Sequence, residues 1–211
     1  MKNLSIPFVY QYNKNSCGAA ALEMVYKYFR LKDISQEDIF EKYKKLEPHE
    51  SGNYYITVKD LILDAKSKDF HTKLYRINYS SIQSLSLLKE ILDKSVPIIV
   101  CQQYTKEKPL IGHFRVVVGI NDKFVFFHDP SQKVGGENLK WSYQEFLDYW
   151  QPTGKNVSGG IFFILFKDDN SFNFSKDDAR LMPLKKEVVV VSDWRYCRGY
   201  DTLVYLKNNP D

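Results

Sequence analysis

The sequence predicts an α+β domain, with N-terminal helices packed on a mainly antiparallel sheet. Three observations carry this. Apolar residues recur at helical spacing in the N-terminal part. β-Branched and aromatic segments bounded by turn residues crowd the middle. The two patterns follow one another rather than alternating. With 211 residues, 44% of them hydrophobic and 15% aromatic, the chain can bury one good core, and one domain is expected.

Ser16 precedes the run CGAAALEMVYKYFR, whose apolar positions Ala20, Met24 and Tyr28 recur every four residues, as on a helix. Ser35, with Asp38 three residues on, opens a second helix to about Leu46. Pro48 to Tyr55 reads as a polar loop. Thr57, with Asp60 three residues on, opens a third helix to about Lys68. FHTKLYRI alternates and reads as a strand. Ser81 to Asp93 reads as a helix with Ile82, Leu85, Leu88 and Leu92 on one face. PIIVCQQY, HFRVVVGI and KFVFFHD read as strands, the last two joined by a turn at Asn121-Asp122. SYQEFLDYW reads as a short helix and GGIFFILF as a further strand. Gly135-Gly136 and Gly159-Gly160 are read as turns and a strand entry rather than self-cleavage sites.

Lys167 to Arg180 is polar and reads as a linker or long loop. Beyond it, EVVVV and TLVYL read as two strands around the turn-rich SDWRYCRGYD. No internal repeat or low-complexity segment is visible.

Charge and cysteine usage narrow the function classes. A net charge of +4, with basic residues dispersed among acidic ones, gives no nucleic-acid signature and no membrane-binding patch. The N-terminus lacks a secretory signal, and no apolar run is long enough to span a bilayer. A cytoplasmic location is the expectation. The three cysteines, Cys17, Cys101 and Cys197, are widely spaced and suit free thiols in a reducing compartment. Four histidines and three cysteines at these spacings make no zinc site. No metal or organic cofactor is implied.

The strongest chemical signal is Gln11 to Gly18, QYNKNSCG, leading into an apolar helix. A cysteine at a helix start sits where orphan N–H groups and the helix dipole favour an anion, and the thiolate is the nucleophilic form. Gly18 offers close approach to a substrate backbone. Gln11 can supply a side-chain N–H beside the thiolate and, with the Cys17 N–H, complete a two-donor oxyanion hole. A lone cysteine packs most often as a small hydrophobe. The glutamine, the Cys-Gly pair and the helix start together favour the nucleophile.

The second signal is GHFRVVVGI followed by KFVFFHDP. His113 is read as opening a strand, and Asp129 as ending the next. His113 lies eight residues before Asn121, and Asp129 seven after Asp122, so antiparallel pairing brings the two side chains together. A carboxylate there can fix the imidazole tautomer and aim the ring at the thiolate. His128 neighbours Asp129 but should face the opposite side of the sheet. His49 falls in a loop, and His71 opens a strand with no chemical partner in view. Cys101 lies in an apolar strand and reads as inert core. Cys197, between Arg195 and Arg198, is followed by no histidine.

These pieces together resemble the bacteriocin-processing cysteine peptidases: the double-glycine leader peptidase domain of bacteriocin exporters and its stand-alone relatives. VYQYNKNSCGAAALEMVYKYF, IGHFRVVVGIND and FVFFHDPS carry the resemblance, with the Ser81–Asp93 helix and SVPIIV before the histidine segment. It covers about residues 5–167. It implies a papain-like fold, with Cys17 as nucleophile, His113 as general base, Asp129 as orienting acid and Gln11 as oxyanion donor. It also implies a peptide or protein substrate, cut after a small-residue pair in a leader or precursor. The chain then divides into a peptidase domain, residues 1–167, and a C-terminal extension of docked strands, residues 168–211. Lacking exporter domains, it looks like a stand-alone member.

Two other functions stay open. An acyltransferase or amidotransferase would pass the same thioester to an amine or thiol, and a non-catalytic peptide-binding module would keep only the groove. The tail poses a separate question. EVVVV and TLVYL should dock on the sheet, because exposed β-branched strands invite edge pairing. Deleting residues 181–211 should give an insoluble product if these strands complete the sheet. If instead Trp194, Arg195 and Tyr196 border the groove, the truncation should be soluble with an altered preference across a peptide panel.

Overall fold

The computed structural model describes residues 3–46, 54–152, 159–167, 172, 174–175 and 177–184. Its centre is a six-stranded antiparallel sheet in the order β3-β8-β4-β5-β6-β7. The strands are β3 (His71–Arg76), β4 (Ile98–Thr105), β5 (Lys108–Ile120), β6 (Phe124–Asp129), β7 (Gly136–Ser142) and β8 (Ile161–Phe166). Helices α1 (Cys17–Tyr28), α2 (Gln36–Tyr43) and α3 (Val58–Lys66) precede the sheet, and α4 (Leu85–Asp93) and α5 (Tyr143–Asp148) interrupt it. A two-stranded pairing, β1 (Lys45–Leu46) with β2 (Tyr54–Tyr55), joins α2 to α3.

The sheet separates two cores, and side-chain alternation decides which residue enters which. Ile99, Phe114, Val116, Phe163 and Leu165 join α1, α2 and α3 in the first core. Ile98, Val100, Val117, Phe162 and Ile164 join α4 and α5 in the second. β8 is apolar on both faces because it is buried from both sides.

Most helices begin where the sequence places them. Ser35, Thr57 and Ser142 each accept a hydrogen bond from the backbone three residues on, and Thr57–Asp60 and Ser142–Glu145 form complete capping boxes. The ends differ more. The second helix stops at Tyr43 rather than about Leu46, because Lys44 turns to an extended conformation (φ −56°, ψ 137°). Lys45 and Leu46 then pair with Tyr54 and Tyr55, inside the stretch expected to be loop. The third helix ends at Lys66, capped by Ser67. The helix expected over 81–93 begins as a 3-10 turn, Ile82–Ser84, before α4. Strand β7 had no sequence signal, since GENLKWS is mostly polar and lacks alternation.

The segment read as a linker is partly packed. Phe172 is buried in the second core, Leu181 bridges to Ile77, and Met182 N donates to Arg76 O at 2.7 Å. EVVVV, TLVYL, Trp194, Cys197 and His49 lie outside the described residues.

α1 is the element the site depends on, and a buried polar lock holds it. The Tyr26 hydroxyl donates to Asp64 of α3 at 2.7 Å, and Lys68 pairs with the same carboxylate at 2.9 Å. Burial, then the neighbouring Asp64 charge, pushes the Tyr26 hydroxyl far above its ordinary range, so it remains a donor. Gly18 serves packing. A Cβ there would lie 3.0 Å from Phe114 and 3.1 Å from Ile56 and Leu61, so the missing side chain lets α1 seat on the sheet and α3. Gly18→Val should therefore overpack this contact and cost about 1–3 kcal/mol, read as a lower urea midpoint at unchanged slope.

Candidate active site

Cys17 is the first residue of α1, and the first backbone bond of that helix runs from Ala20 N to Ser16 O at 2.9 Å. No acidic residue lies in the first turn, so the positive end of the helix dipole is not offset by a side chain there. Ser16 does not cap α1 with its side chain. Its hydroxyl instead closes the preceding turn, accepting from Asn13 N and donating to Asn13 O.

His113 lies inside β5, which begins at Lys108, not at the strand start expected from sequence. Gly112 belongs to the strand, and the β4–β5 hairpin extends past it to the Thr105–Lys108 pair. His113 Nε2 and Asp129 Oδ1 are 2.7 Å apart. That bond leaves Nδ1 to serve Cys17, with which His113 also makes a side-chain hydrogen bond. Burial alone would drive the imidazole pKa down. The Asp129 and Cys17 charges and the hydrogen bonds to both outweigh it, and the net shift is upward.

A single β-bulge creates this meeting. In the β5–β6 ladder Val117 pairs with Phe127 and Gly119 with Phe126, so Val118 is an extra residue on β5. With it, Val116 faces His128, and Arg115 therefore lies across from Asp129. His113, Arg115 and Asp129 then share a sheet face, whereas without the bulge Asp129 would lie across from Val116 and point away. Simple counting from the turn reached the right neighbourhood but not this register.

The N-terminal segment secures the bulge. Leu4 N donates to Val118 O at 2.8 Å. A Cβ on Gly119 would lie 1.9 Å from Asn3 Oδ1, so a larger residue there would make the Asn3 side chain turn aside. His128 faces the opposite side from Asp129, as expected, and is a tie rather than a base. Its Nδ1 accepts from Asn138 N at 3.0 Å, so Nε2 carries the proton and donates to Ile6 O at 2.9 Å. Burial lowers its pKa, consistent with a neutral ring.

The same segment presents Gln11. Its backbone N donates to Pro130 O at 2.8 Å, and its carbonyl accepts from Gln132 Nε2 at 2.7 Å. Gln36 of α2 holds the flanks, donating to Tyr10 O at 2.7 Å and accepting from Tyr12 N at 2.9 Å. Gln11 Nε2 donates to Asn13 O at 2.7 Å, which orients the amide and leaves its second N–H uncommitted. Its Oε1 is buried with no hydrogen-bond partner among the described residues.

Asp129 has partners the sequence reading did not single out. Oδ1 accepts also from Ser131 N at 2.9 Å, and Oδ2 accepts from Arg115 Nε at 2.7 Å. Burial would raise its pKa, but His113, then Arg115 and the Ser131 N–H, hold it well below the usual carboxylate range. Arg115 was legible in principle: it is a charge two residues after His113, on the same face of a strand otherwise apolar from Phe114 to Ile120. The Tyr104 ring packs edge-on to His113, with centroids 5.0 Å apart, and its hydroxyl meets Ser131 Oγ at 3.0 Å.

The other candidates stay apart from this centre. Cys101 lies at the margin of the first core, opposite Phe114. His71 is exposed at the start of β3 and stacks on Phe166. Among the described residues no His, Cys, Asp and Glu cluster is arranged to hold a metal ion, and no helix is long and apolar enough to cross a membrane.

Comparison with solved structures places the fold. The peptidase domain of Streptococcus ComA, a bifunctional ABC transporter of a quorum-sensing pathway, superposes with a TM-score of 0.54 at 21% identity, covering 74% of this chain and 95% of that one. A double-glycine motif protease from an AMS/PCAT transporter, solved with its leader peptide, gives 0.51 at 20% identity, covering 77% and 92%. A C39-like peptidase from Bacillus anthracis gives 0.59 at 14% identity, covering 80% and 99%. No curated protein sequence matches the chain significantly. The family model described as Peptidase_C39 like family matches residues 3–158. The chain thus belongs to the Peptidase_C39 like family and is a cysteine peptidase of papain-like fold.

Proposed function

We propose that this peptidase cleaves a peptide bond in a leader or precursor peptide, with Cys17 as nucleophile, His113 as general acid–base, Asp129 as the group that orients His113, and Gln11 as oxyanion donor. The observation that carries the reading is the arrangement around His113: Asp129 on Nε2 at 2.7 Å and Cys17 hydrogen-bonded to the same ring. The leader peptide bound to the transporter protease supports a peptide as substrate class.

The chemistry follows from the placement. The Cys17 thiolate attacks the scissile carbonyl carbon, and the carbonyl π electrons move to oxygen. The Cys17 N–H and the second N–H of Gln11 Nε2 receive that oxyanion. His113, protonated in the ion pair, gives its proton to the leaving amine as the C–N bond breaks, leaving a thioester on Cys17. Water then attacks the thioester, His113 takes its proton, and the carboxylic acid leaves as the thiolate returns. The raised pKa of His113 favours this charged starting state, which is lost as pH rises through it. A bulk amine or thiol in place of water would give acyl transfer through the same thioester. Residues 1–167 hold every group this reading uses, which supports treating them as the peptidase domain.

Cys17→Ala should abolish cleavage of a double-glycine leader peptide and leave the fold intact. In the unmodified protein, iodoacetamide should alkylate Cys17 before Cys101, although Cys17 is 3% exposed and Cys101 is the more accessible of the two. Faster labelling of Cys101 or Cys197, mapped by mass spectrometry near neutral pH, would remove Cys17 as the nucleophile.

Asp129→Asn keeps a partner for His113 and should retain partial turnover, whereas Asp129→Ala should lose more. Steady-state kinetics of the two variants reads the difference, and equal losses would mean that the charge, rather than the orientation, is what His113 requires.

A further inference from the structure

Arg115 is a buried charge in an apolar strand, 1% exposed, and cysteine–histidine chemistry as such does not call for it. Burying a guanidinium is costly unless its donors are met, and here they are. Nε donates to Asp129 Oδ2 at 2.7 Å, Nη1 to Gln103 O at 2.9 Å and Nη2 to Tyr104 O at 2.9 Å. The two carbonyls belong to the end of β4, at the register shift between Gln103 and Thr105. The guanidinium lies over the Trp141 ring at 4.8 Å and the Tyr149 ring at 5.5 Å, and those rings stack on each other. Three donors and two aromatic faces therefore fix one charge in one orientation.

Resting on the catalytic reading above, we infer that Arg115 is a positioning residue: it holds the Asp129 carboxylate so that Oδ1 faces His113, and it limits how strongly Asp129 stabilises the His113 imidazolium. The first part is geometric. Carboxylate rotation is soft, and Asp129 is gripped at both ends, by His113 and Ser131 at Oδ1 and by Arg115 at Oδ2. The second part is electrostatic. A fixed positive charge on the far oxygen offsets part of the field that Asp129 exerts on the ring, and screening is weak where all three groups are buried. The downward shift of the Asp129 pKa through Arg115 agrees with this coupling. Among the described residues the ionisable groups facing His113 are Asp129 from β6, Cys17 from α1 and Tyr104 from β4, with Arg115 behind Asp129 on β5.

The sign follows. With a neutral residue at 115, Asp129 acts on His113 undiminished, the imidazolium is stabilised, and the His113 titration midpoint moves to higher pH. A lysine keeps the charge but loses the fork, so the midpoint should stay while orientation suffers.

The test is an NMR titration of the His113 ring in the full-length protein and in Arg115→Met, Arg115→Gln and Arg115→Lys. Alongside it, kcat and KM are measured on a double-glycine leader peptide, with active sites counted so that unfolded protein does not enter. In Arg115→Met and Arg115→Gln the midpoint should rise by about one pH unit. In Arg115→Lys it should stay at the wild-type value, while kcat falls about tenfold or more with KM little changed. A merely structural arginine would lower the fraction folded and leave the midpoint of the folded protein unmoved. A wild-type midpoint in either neutral variant overturns the inference. If neither neutral variant folds, Arg115→Lys decides: wild-type kcat per active site overturns it, and the fall in kcat at an unmoved midpoint supports it. The titration needs no turnover, so it still reads the Arg115–Asp129–His113 coupling if Cys17→Ala shows that the catalytic reading is wrong.

Discussion

A strand has two faces, and adding one residue exchanges them. Asp129 reaches His113 only because Val118 is inserted into β5 against β6, which moves Asp129 from the face of Val116 to the face of Arg115 and His113. The bulge leaves a backbone carbonyl outside the ladder, and a buried carbonyl needs a donor. Leu4 N supplies it. The N-terminal segment is thus drawn along β5 and β6 and tied again at Ile6 by His128 and at Gln11 by Pro130 and Gln132. What begins as a register device ends by delivering Gln11 and the entrance of α1 to the same end of the sheet as the histidine.

The site is built from polar groups with little exposure, and each is held from more than one direction. Gln11 is clamped through its backbone by Pro130 and Gln132 in the turn after β6, and its neighbours Tyr10 and Tyr12 are held by Gln36 of α2. Asp129 accepts from three donors. α1 is fixed in its last turn by the Tyr26–Asp64–Lys68 group and at its start by the close seat of Gly18 on Phe114. Buried networks of this kind stabilise one geometry when fully satisfied and are costly when partly so. That asymmetry makes the carboxylate and the arginine more than lining. Removing the carboxylate leaves Arg115 without its counterpart in surroundings that cannot hydrate it, and removing Arg115 leaves Asp129 Oδ2 without its donor.

The comparisons and the geometry bear on different questions. Structural likeness at 14–21% identity reports the fold, and the family match reports membership. The roles proposed for Cys17, His113, Asp129 and Gln11 rest on the local arrangement. So does Arg115, which enters through the buried polar contacts of this chain.

The sequence by itself determined the class of fold, most helix starts and the central strands, and it pointed to the residues proposed for the chemistry. Helical spacing, capping side chains and apolar runs are local signals, and a cysteine at a helix entry is visible as such in Gln11–Gly18. It did not determine where helix α2 stops, that β7 exists, that Gly18 packs against Phe114, or that His113 sits inside its strand. Each of those depends on a partner outside the segment itself: Tyr55 for Lys45, Phe127 for Leu139, Phe114 for Gly18 and Gln102 for His113. The register of Asp129 is the sharpest case. Counting residues from Asn121-Asp122 brings Asp129 near His113 but assigns no face, because the bulge is stabilised by Leu4, over a hundred residues earlier in the chain. Tertiary structure decided that point, since period-2 alternation sends a side chain to one face or the other and only the completed β5–β6 ladder, with its N-terminal strap, selects between them.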